Sequence, residues 1–263
     1  MVQKRNSAMV ELLRPDFQAR NEPNFAWKSA CSVFQALTGL RGSWPLSSFN
    51  EAGNAYDMSE QGRVLTYNGN PVYNYEGLIP YLDFDGTGDF LSRADEAGLD
   101  IIGTETFVAA AARGLTIGGW FAFDNLTREE ALIGKWNTTG NQRSYILEKM
   151  ATDFVRFAVS VDGTAETVVN DTVAVTTTDW FFAVGRFDPS AAMTLFINGR
   201  TIVGGAGPAT INNSNAQLNI GAHNNGAASL LDGKASMNFL CAAQLSNTII
   251  DAMFEQTRSM YGI

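Results

Sequence analysis

Hydrophobic and polar residues alternate along most of the chain after residue 80, a pattern typical of half-buried β-strands. The clearest example is the segment 179–202, where Phe182 and Val184 alternate with residues of the opposite face. Pro189 predicts a turn, because proline presets φ and cannot donate to a β-ladder. Asn198-Gly199 is a dipeptide that tolerates positive φ in a tight hairpin. The segment is therefore predicted to form two consecutive hairpins.

Shorter runs with the same alternation surround this segment. They cover residues 64–67, 81–91, 115–123, 131–136, 145–148, 154–160, 167–176, 218–221 and 234–242. About a dozen short strands separated by turn residues predict an all-β protein, a two-sheet antiparallel β-sandwich of the jelly-roll type. A short C-terminal helix is predicted after the capping residue Ser246, with Ile250 and Met253 on its apolar face and Gly262 at its end.

The N-terminal residues follow a different pattern. Residues 1–24 are polar and interrupted by prolines, which predicts an extended arm, and apolar residues at helical spacing predict an amphipathic helix that Gly39 ends. We therefore divide the chain into residues 1–38, arm and helix, and a sandwich domain over 39–263. Two interpretations of the helix stay open: it docks on its own domain, or it contacts a neighbouring subunit. The candidate assembly contacts are Phe25, Trp27, Phe34 and Leu37.

Composition excludes several classes of partner. The 263 residues carry a formal charge of -9, which argues against nucleic acid because such binding depends on cation neutralisation. No apolar run approaches the ~18 residues that cross a bilayer, so no membrane partner is expected. No apolar segment follows the first basic residues, so we expect no secretory signal. The two cysteines, Cys31 and Cys241, are expected to be buried free thiols.

The order of the motifs resembles the laminin-G-like, or concanavalin A-like lectin/glucanase, jelly roll. The matching pieces are LDFDGTGD (82–89), LTIGGW (115–120), LIGKW (132–136), WFFAV (180–184), LFINGR (195–200), LNIG (218–221), LDGK (231–234) and LS (245–246). This resemblance implies a two-sheet sandwich. Many relatives carry acids after the Asp-Gly-Lys turn, whereas this chain has Ala235-Ser236-Met237-Asn238, which weakens any calcium-linked role there. The segment 39–81 also resembles the lead-in to such domains in tailed-bacteriophage virion proteins.

Sugar recognition requires an aromatic platform with amide or carboxylate groups on exposed loops. Two segments, 136–143 and 223–226, offer these groups. The candidate glycan-binding residues are Trp136, Asn137, Asn141, Arg143, His223, Asn224 and Asn225. A purely structural role is the alternative to glycan binding. Trp136 belongs to the family's core pattern and can be buried, and Asn-Gly-rich loops commonly form turns.

Catalytic chemistry has weak support in the sequence. Glycoside hydrolysis needs two carboxylates on one surface, and the glucanases of this fold carry them as Glu-x-Asp-x-x-Glu or Glu-x-Asp-x-Glu on one strand. No such string occurs: Glu129 and Glu130 are adjacent in a predicted turn, and Glu148 and Glu166 are isolated. His223 is the only histidine and no Gly-x-Ser-x-Gly motif accompanies it. We predict a non-enzyme, and a hydrolase remains open without a nominated pair.

A cofactor is not predicted. Asp83, Asp85 and Asp89 resemble part of a calcium loop, but Thr87 and Ala94 occupy positions where an EF-hand requires acids. The aspartates are expected to accept hydrogen bonds from turn amides, and calcium remains an open alternative.

These observations lead to two hypotheses about function. The first is a non-enzymatic structural component of a phage virion, a head-decoration or tail-fibre subunit made in the host cytoplasm. Its expected partners are other virion proteins, with assembly into a homo-oligomer. The alternative is a carbohydrate-binding module that recognises host surface glycans.

Overall fold

The computed structural model describes residues 31–46, 53–77 and 79–263. The predicted arm over residues 1–24 and the side chains of Phe25 and Trp27 lie outside this range. Among the described residues, no helix has the length and apolar character needed to cross a membrane.

The described chain is mostly β-structure, as the alternation predicted. In chain order the strands are β1 (Leu40–Trp44), β2 (Asn54–Ala55), β3 (Leu65–Asn68), β4 (Val72–Glu76), β5 (Ile79–Asp85), β6 (Phe90–Arg93), β7 (Leu115–Phe123), β8 (Glu130–Asn137), β9 (Gln142–Lys149), β10 (Val155–Ser160), β11 (Glu166–Asn170), β12 (Phe181–Phe187), β13 (Ala192–Ile197), β14 (Arg200–Ala206), β15 (Leu218–Ile220) and β16 (Asp232–Cys241). One helix, α1 (Asn247–Thr257), follows them, and 3-10 turns occur at Ala110–Ala112 and Asn224–Gly226.

The strands form two antiparallel sheets. The first sheet has the order β14-β13-β12-β7-β16-β5-β4, with β1 also paired to β16. The second has the order β11-β10-β9-β8-β15-β6-β3-β2. The predicted hairpins of segment 179–202 are β12, β13 and β14, and Asn198 and Gly199 both have positive φ in their turn. The predicted two-sheet antiparallel sandwich is confirmed.

Alternation along each strand separates an inner core from the outer faces. In β12, Phe181 and Ala183 belong to the core between the sheets, while Phe182 and Val184 belong to a second cluster on the outer face of the first sheet. Successive side chains of a strand point to opposite faces, so both faces of this sheet are apolar and both must be covered.

Residues 31–37 and the C-terminal segment cover the outer face of the first sheet. Phe34 and Leu37 are buried in its cluster, and the rings of Phe34 and Phe239 meet edge to face at 5.5 Å. On the other side Trp120 stacks on Tyr261, with ring centroids 3.9 Å apart, and donates a 3.0 Å hydrogen bond to Thr257 Oγ1. These contacts bury the apolar side chains on the outer face of the first sheet.

The structure corrects the predicted bounds of three segments. The N-terminal helix ends at Gln35 rather than at Gly39, although Gly39 does adopt positive φ. The segment 167–176 forms a strand only as far as Asn170, and its remainder is irregular. Ser246 caps α1 as predicted, but α1 ends at Thr257, well before Gly262. In each case the sequence pattern predicted the right kind of element but made it too long, because the ends of helices and strands depend on tertiary contacts.

Candidate functional site

The outer face of the second sheet carries a small apolar cluster with a charged row beside it. Ala131, Trp136, Ile146 and Ala158 form the cluster, with Val168 packed against it. Next to it, Glu148 on β9 lies opposite Ala131 on β8 and Arg156 on β10. Because β8, β9 and β10 are adjacent strands, their register places Glu148 and Arg156 beside the apolar cluster.

The structure brings the two predicted glycan-binding loops together. Asn224 Oδ1 accepts hydrogen bonds from Thr138 N at 2.7 Å and from Thr138 Oγ1 at 3.2 Å. Asn225 Oδ1 accepts from Gln217 N at 3.1 Å. The two Thr138–Asn224 contacts join the β8–β9 hairpin turn to the segment after β15, although 86 positions separate these residues. The two loops are therefore in direct contact at Thr138 and Asn224, and residues 137–143 and 223–226 are together called the edge below.

Asparagine side chains on this edge use their oxygens internally. Asn137 Oδ1 accepts from Thr139 N at 2.8 Å, and the oxygens of Asn224 and Asn225 are engaged as described. Their amide nitrogens make no hydrogen bond to another described residue, and Asn141 and Asn225 are exposed. The edge consequently presents a group of amide donors to solvent.

Trp136 does not provide an aromatic platform in this conformation. Its side chain is 2% exposed, and the Arg143 guanidinium carbon lies 6.0 Å from its ring centroid. Arg143 is held there by a 2.7 Å hydrogen bond to Thr164 O and an ion pair with Glu166 at 3.4 Å. The side chain that can contact a sugar here is therefore the Arg143 guanidinium, which lies over the buried Trp136 indole.

His223 lies at the other end of this region, in a hydrogen-bonded group. Ser229 Oγ is 2.7 Å from Glu129 Oε1 and 2.8 Å from His223 Nε2, and Nε2 is 3.4 Å from the same carboxylate oxygen. Hydrogen bonds from His223 and then Ser229 hold the pKa of Glu129 at about 2, against partial burial, which raises it. Both contacts use Nε2, so the group is not a Ser-His-acid relay, which requires one partner on each ring nitrogen.

Glu148 completes this charged group. Its carboxylate is 1% exposed and accepts a 2.7 Å hydrogen bond from Arg156 Nε. Burial raises the pKa of Glu148, and Arg156 opposes that shift. Ligand atoms of Glu129, Glu148 and His223 all lie within 4.8 Å of one another. Glu129 and Glu148 thus approach the spacing of a glycosidase pair, but Glu148 is buried whereas Glu129 is partly exposed.

Sequence reasoning missed this group because its members are far apart along the chain. The sequence places Glu129 in a predicted turn and Glu148 in a separate predicted strand, 145–148, and nothing in it links either residue to Ser229 or Arg156. The signal that could have linked them is the β8–β9 hairpin register, which places Glu148 opposite Ala131, two residues after Glu129. That register contains two bulges, so the alternation alone does not fix it.

Two of the three aspartates of segment 83–89, Asp85 and Asp89, accept hydrogen bonds from turn amides, as expected, whereas Asp83 lies within β5. Asp85 Oδ1 accepts from the amides of Thr87 and Gly88 at 2.8 and 3.0 Å, and Asp89 Oδ1 accepts from Asn70 N at 2.6 Å. The Thr87 side chain and amide hold the pKa of Asp85 at about 2. Whether calcium binds this chain stays an untested prediction.

The candidate assembly contacts that the structure describes are not on the surface. Phe34 and Leu37 pack inside the cluster of the first sheet, which matches the alternative that the helix docks on its own domain. In this position they offer no side chain to a neighbouring subunit. Cys31 and Cys241 are both buried and neither forms a disulfide bond, as predicted.

Two antiparallel sheets, a covered outer face on one sheet and loop-built polar groups on the other define a lectin-like β-sandwich domain. Residues 98–236, more than half of the chain, match the family model described as the concanavalin A-like lectin/glucanases superfamily. The chain belongs to this superfamily. A search of curated protein sequences finds no match to the chain.

Solved structures with the same fold include binding domains of botulinum neurotoxins. The binding domain of serotype D/C VPI 5993 has a TM-score of 0.61 and 15% identity, covering 82% of this chain and 52% of that chain. The neurotoxin DC binding domain crystallised with SialylT has a TM-score of 0.59 and 14% identity, covering 82% and 51%. The same domain crystallised with rat synaptotagmin II gives the same four values. The present chain therefore spans about half of these structures, and the likeness shows the fold alone.

Proposed function

We propose that this domain is a non-enzymatic carbohydrate-binding module, with its site at the edge formed by residues 137–143 and 223–226. The observation that carries the proposal is the pair of hydrogen bonds from Thr138 to Asn224 Oδ1, which hold the two loops side by side. Amide donors and a guanidinium on one preformed edge match the hydroxyl-rich surface of a sugar, whose oxygens accept such bonds.

The comparisons support a binding role in general terms. The structures named above are binding domains by their titles, one in complex with SialylT and one with a protein, rat synaptotagmin II. This chain corresponds to about half of each, so its own ligand has to be established directly.

A glycan array tests the proposal. The wild-type domain should bind a defined subset of glycans, and Arg143→Ala and Asn225→Gly should each reduce that binding at least fivefold. Asn225 has positive φ, so glycine removes its side chain without straining the backbone. Asn213→Ala is the matched control, because Asn213 is an exposed asparagine outside both loops. Absence of binding to every glycan, or equal loss in the control, would reject the carbohydrate role.

A second candidate is a structural role on a bacteriophage particle, in which this domain contacts other virion proteins or further copies of itself. Exposed apolar side chains of the lead-in segment favour an assembly surface: Val72 and Tyr75 on the edge strand β4 are 52% and 53% exposed. Edge strands with exposed apolar residues pair readily with another chain. Mass spectrometry of purified particles tests the role, and incorporation should fall in a Val72→Lys, Tyr75→Lys double variant. Absence of the chain from particles would reject it.

A further inference from the structure

A cleft of about 410 Å³ lies on the outer face of the second sheet, outside the edge of residues 137–143 and 223–226. Thr66 on β3 and Ser92 on β6 are register partners, and both line the cleft. Their chain neighbours Leu65 and Leu91 belong to the core between the sheets, so Thr66 and Ser92 face outward. The volume falls in the range of small-ligand sites, roughly 300–1,000 Å³.

The register of the second sheet places the cleft beside the edge. Leu218 on β15 pairs with Arg93 on β6 and with Lys135 on β8, and both pairings are antiparallel. The end of β6, the start of β15 and the end of β8 therefore lie at the same end of the sheet. Gln217, which lines the cleft just before β15, donates its backbone amide to Asn225 Oδ1 at 3.1 Å. Because Asn225 belongs to the edge, the cleft and the edge meet at this contact.

The cleft presents unused hydrogen-bonding groups. Ser92 Oγ accepts from Asn68 Nδ2 at 2.9 Å, and its own hydroxyl hydrogen donates to no described residue. The Thr66 hydroxyl and the Gln217 side-chain amide form no hydrogen bond to the rest of the described chain. Hydroxyl and amide groups both donate and accept, as sugar hydroxyls do. An apolar ligand would remove water from these groups without replacing its hydrogen bonds, so a hydroxylated ligand is favoured.

The charges that line the cleft are already paired. Asp95 Oδ1 lies 2.8 Å from Lys135 Nζ, whose side chain is fully buried. Glu96 is paired with Arg63 Nε at 2.6 Å and with Arg93 at 2.8 Å. Arg93 is the one cation among the described residues that line the cleft, and Glu96 already engages it. An anionic ligand would meet two carboxylates and no unpaired cation, so a neutral ligand is favoured.

We propose that the cleft is a second subsite of the carbohydrate-binding site, and that one neutral oligosaccharide occupies the cleft and the edge together. The inference rests on the proposed carbohydrate-binding function and adds the class of glycan. Sugar hydroxyls in the cleft bond to Ser92, Gln217 and Asp95, while the next sugar residues contact the edge. Arg143 on the edge is itself paired with Glu166, so it too favours a neutral glycan.

Filling the cleft with a large side chain tests the proposal. Ala94 is exposed and lines the cleft, so Ala94→Trp should reduce binding to neutral oligosaccharides on the glycan array at least tenfold. Ala97→Trp is the matched control, because Ala97 is an exposed alanine outside the cleft, and it should change binding less than twofold. Gln217→Ala removes only a side-chain amide and should reduce binding at least threefold, with Gln256→Ala, at an exposed position of α1, as its control.

A length series tests the joint occupation of the cleft and the edge. A monosaccharide identical to the terminal residue of the best neutral ligand should bind at least tenfold more weakly than the full oligosaccharide, because it fills only one subsite. Equal affinities of the monosaccharide and the oligosaccharide would contradict the joint occupation.

Failure of the cleft and failure of the carbohydrate-binding function give different results on the array. Undiminished binding by Ala94→Trp and Gln217→Ala, with reduced binding by Arg143→Ala, would overturn the cleft as a subsite and leave the edge in place. Reduced binding by the two cleft variants but not by Arg143→Ala would overturn the joint occupation. A preference for acidic glycans would reject the neutral class. Absence of binding to every glycan would reject both the cleft and the proposed function.

Discussion

At the scale of single residues, the pH dependence of stability follows from carboxylates that accept several hydrogen bonds. The pKa of Asp85 is held at about 2, below its ordinary value of 3.8, first by the Thr87 side chain and amide. A depressed folded-state pKa contributes stability above the unfolded pKa, and this stability is lost as pH falls through the folded one. The window is therefore about pH 4 to 2.

We expect Asp85→Ala to lower the free energy of unfolding at pH 6 by at most about 1 kcal/mol, since the interaction is exposed and screened by solvent. The difference from wild type should shrink as pH falls from 4 to 2. Urea unfolding at several pH values measures it. A difference that is constant across this window would show that the charge of Asp85 has no part in the turn.

At the scale of elements, the Thr138–Asn224 contact determines whether the two loops act as one edge. We expect Asn224→Ala to speed the hydrogen exchange of the Thr138 amide roughly fivefold, because a typical net hydrogen bond is worth about 1 kcal/mol. Native-state exchange by NMR measures the rate, with Asn213→Ala as the control. Exchange as slow as in wild type would mean that the loops are held by other contacts.

The C-terminal helix is a second element whose contribution can be isolated. Ser246 accepts a hydrogen bond from Ile249 N at the start of α1. Ser246→Ala should destabilise the domain by at most about 1 kcal/mol, because Ile249 N loses its bond to the cap side chain but keeps a 3.0 Å hydrogen bond to Ser246 O. Ser259→Ala changes an exposed serine beyond the helix end and should have little effect in the same denaturation experiment. Equal effects of the two substitutions would argue against the cap.

At the scale of the whole molecule, alternation and turn chemistry were sufficient to predict the sandwich. Phe181 to Val184 show why: consecutive residues face different apolar layers, and this follows from a period of two. The contact between Thr138 and Asn224 could not be predicted, because it depends on strand order in the second sheet. The same holds for His223 and Glu148, which belong to non-adjacent segments that only the fold brings together. Trp136 was correctly placed in a strand, but its burial beneath Arg143 depends on that tertiary arrangement.

The most direct test of the carbohydrate-binding account is a backbone-amide NMR titration with a glycan identified by the array. We expect the chemical-shift changes to concentrate in residues 137–143 and 223–226, with smaller changes in the adjoining parts of β8, β9 and β15. Changes centred on the first sheet or on its edge strand β4, or no changes at saturating glycan, would contradict the account.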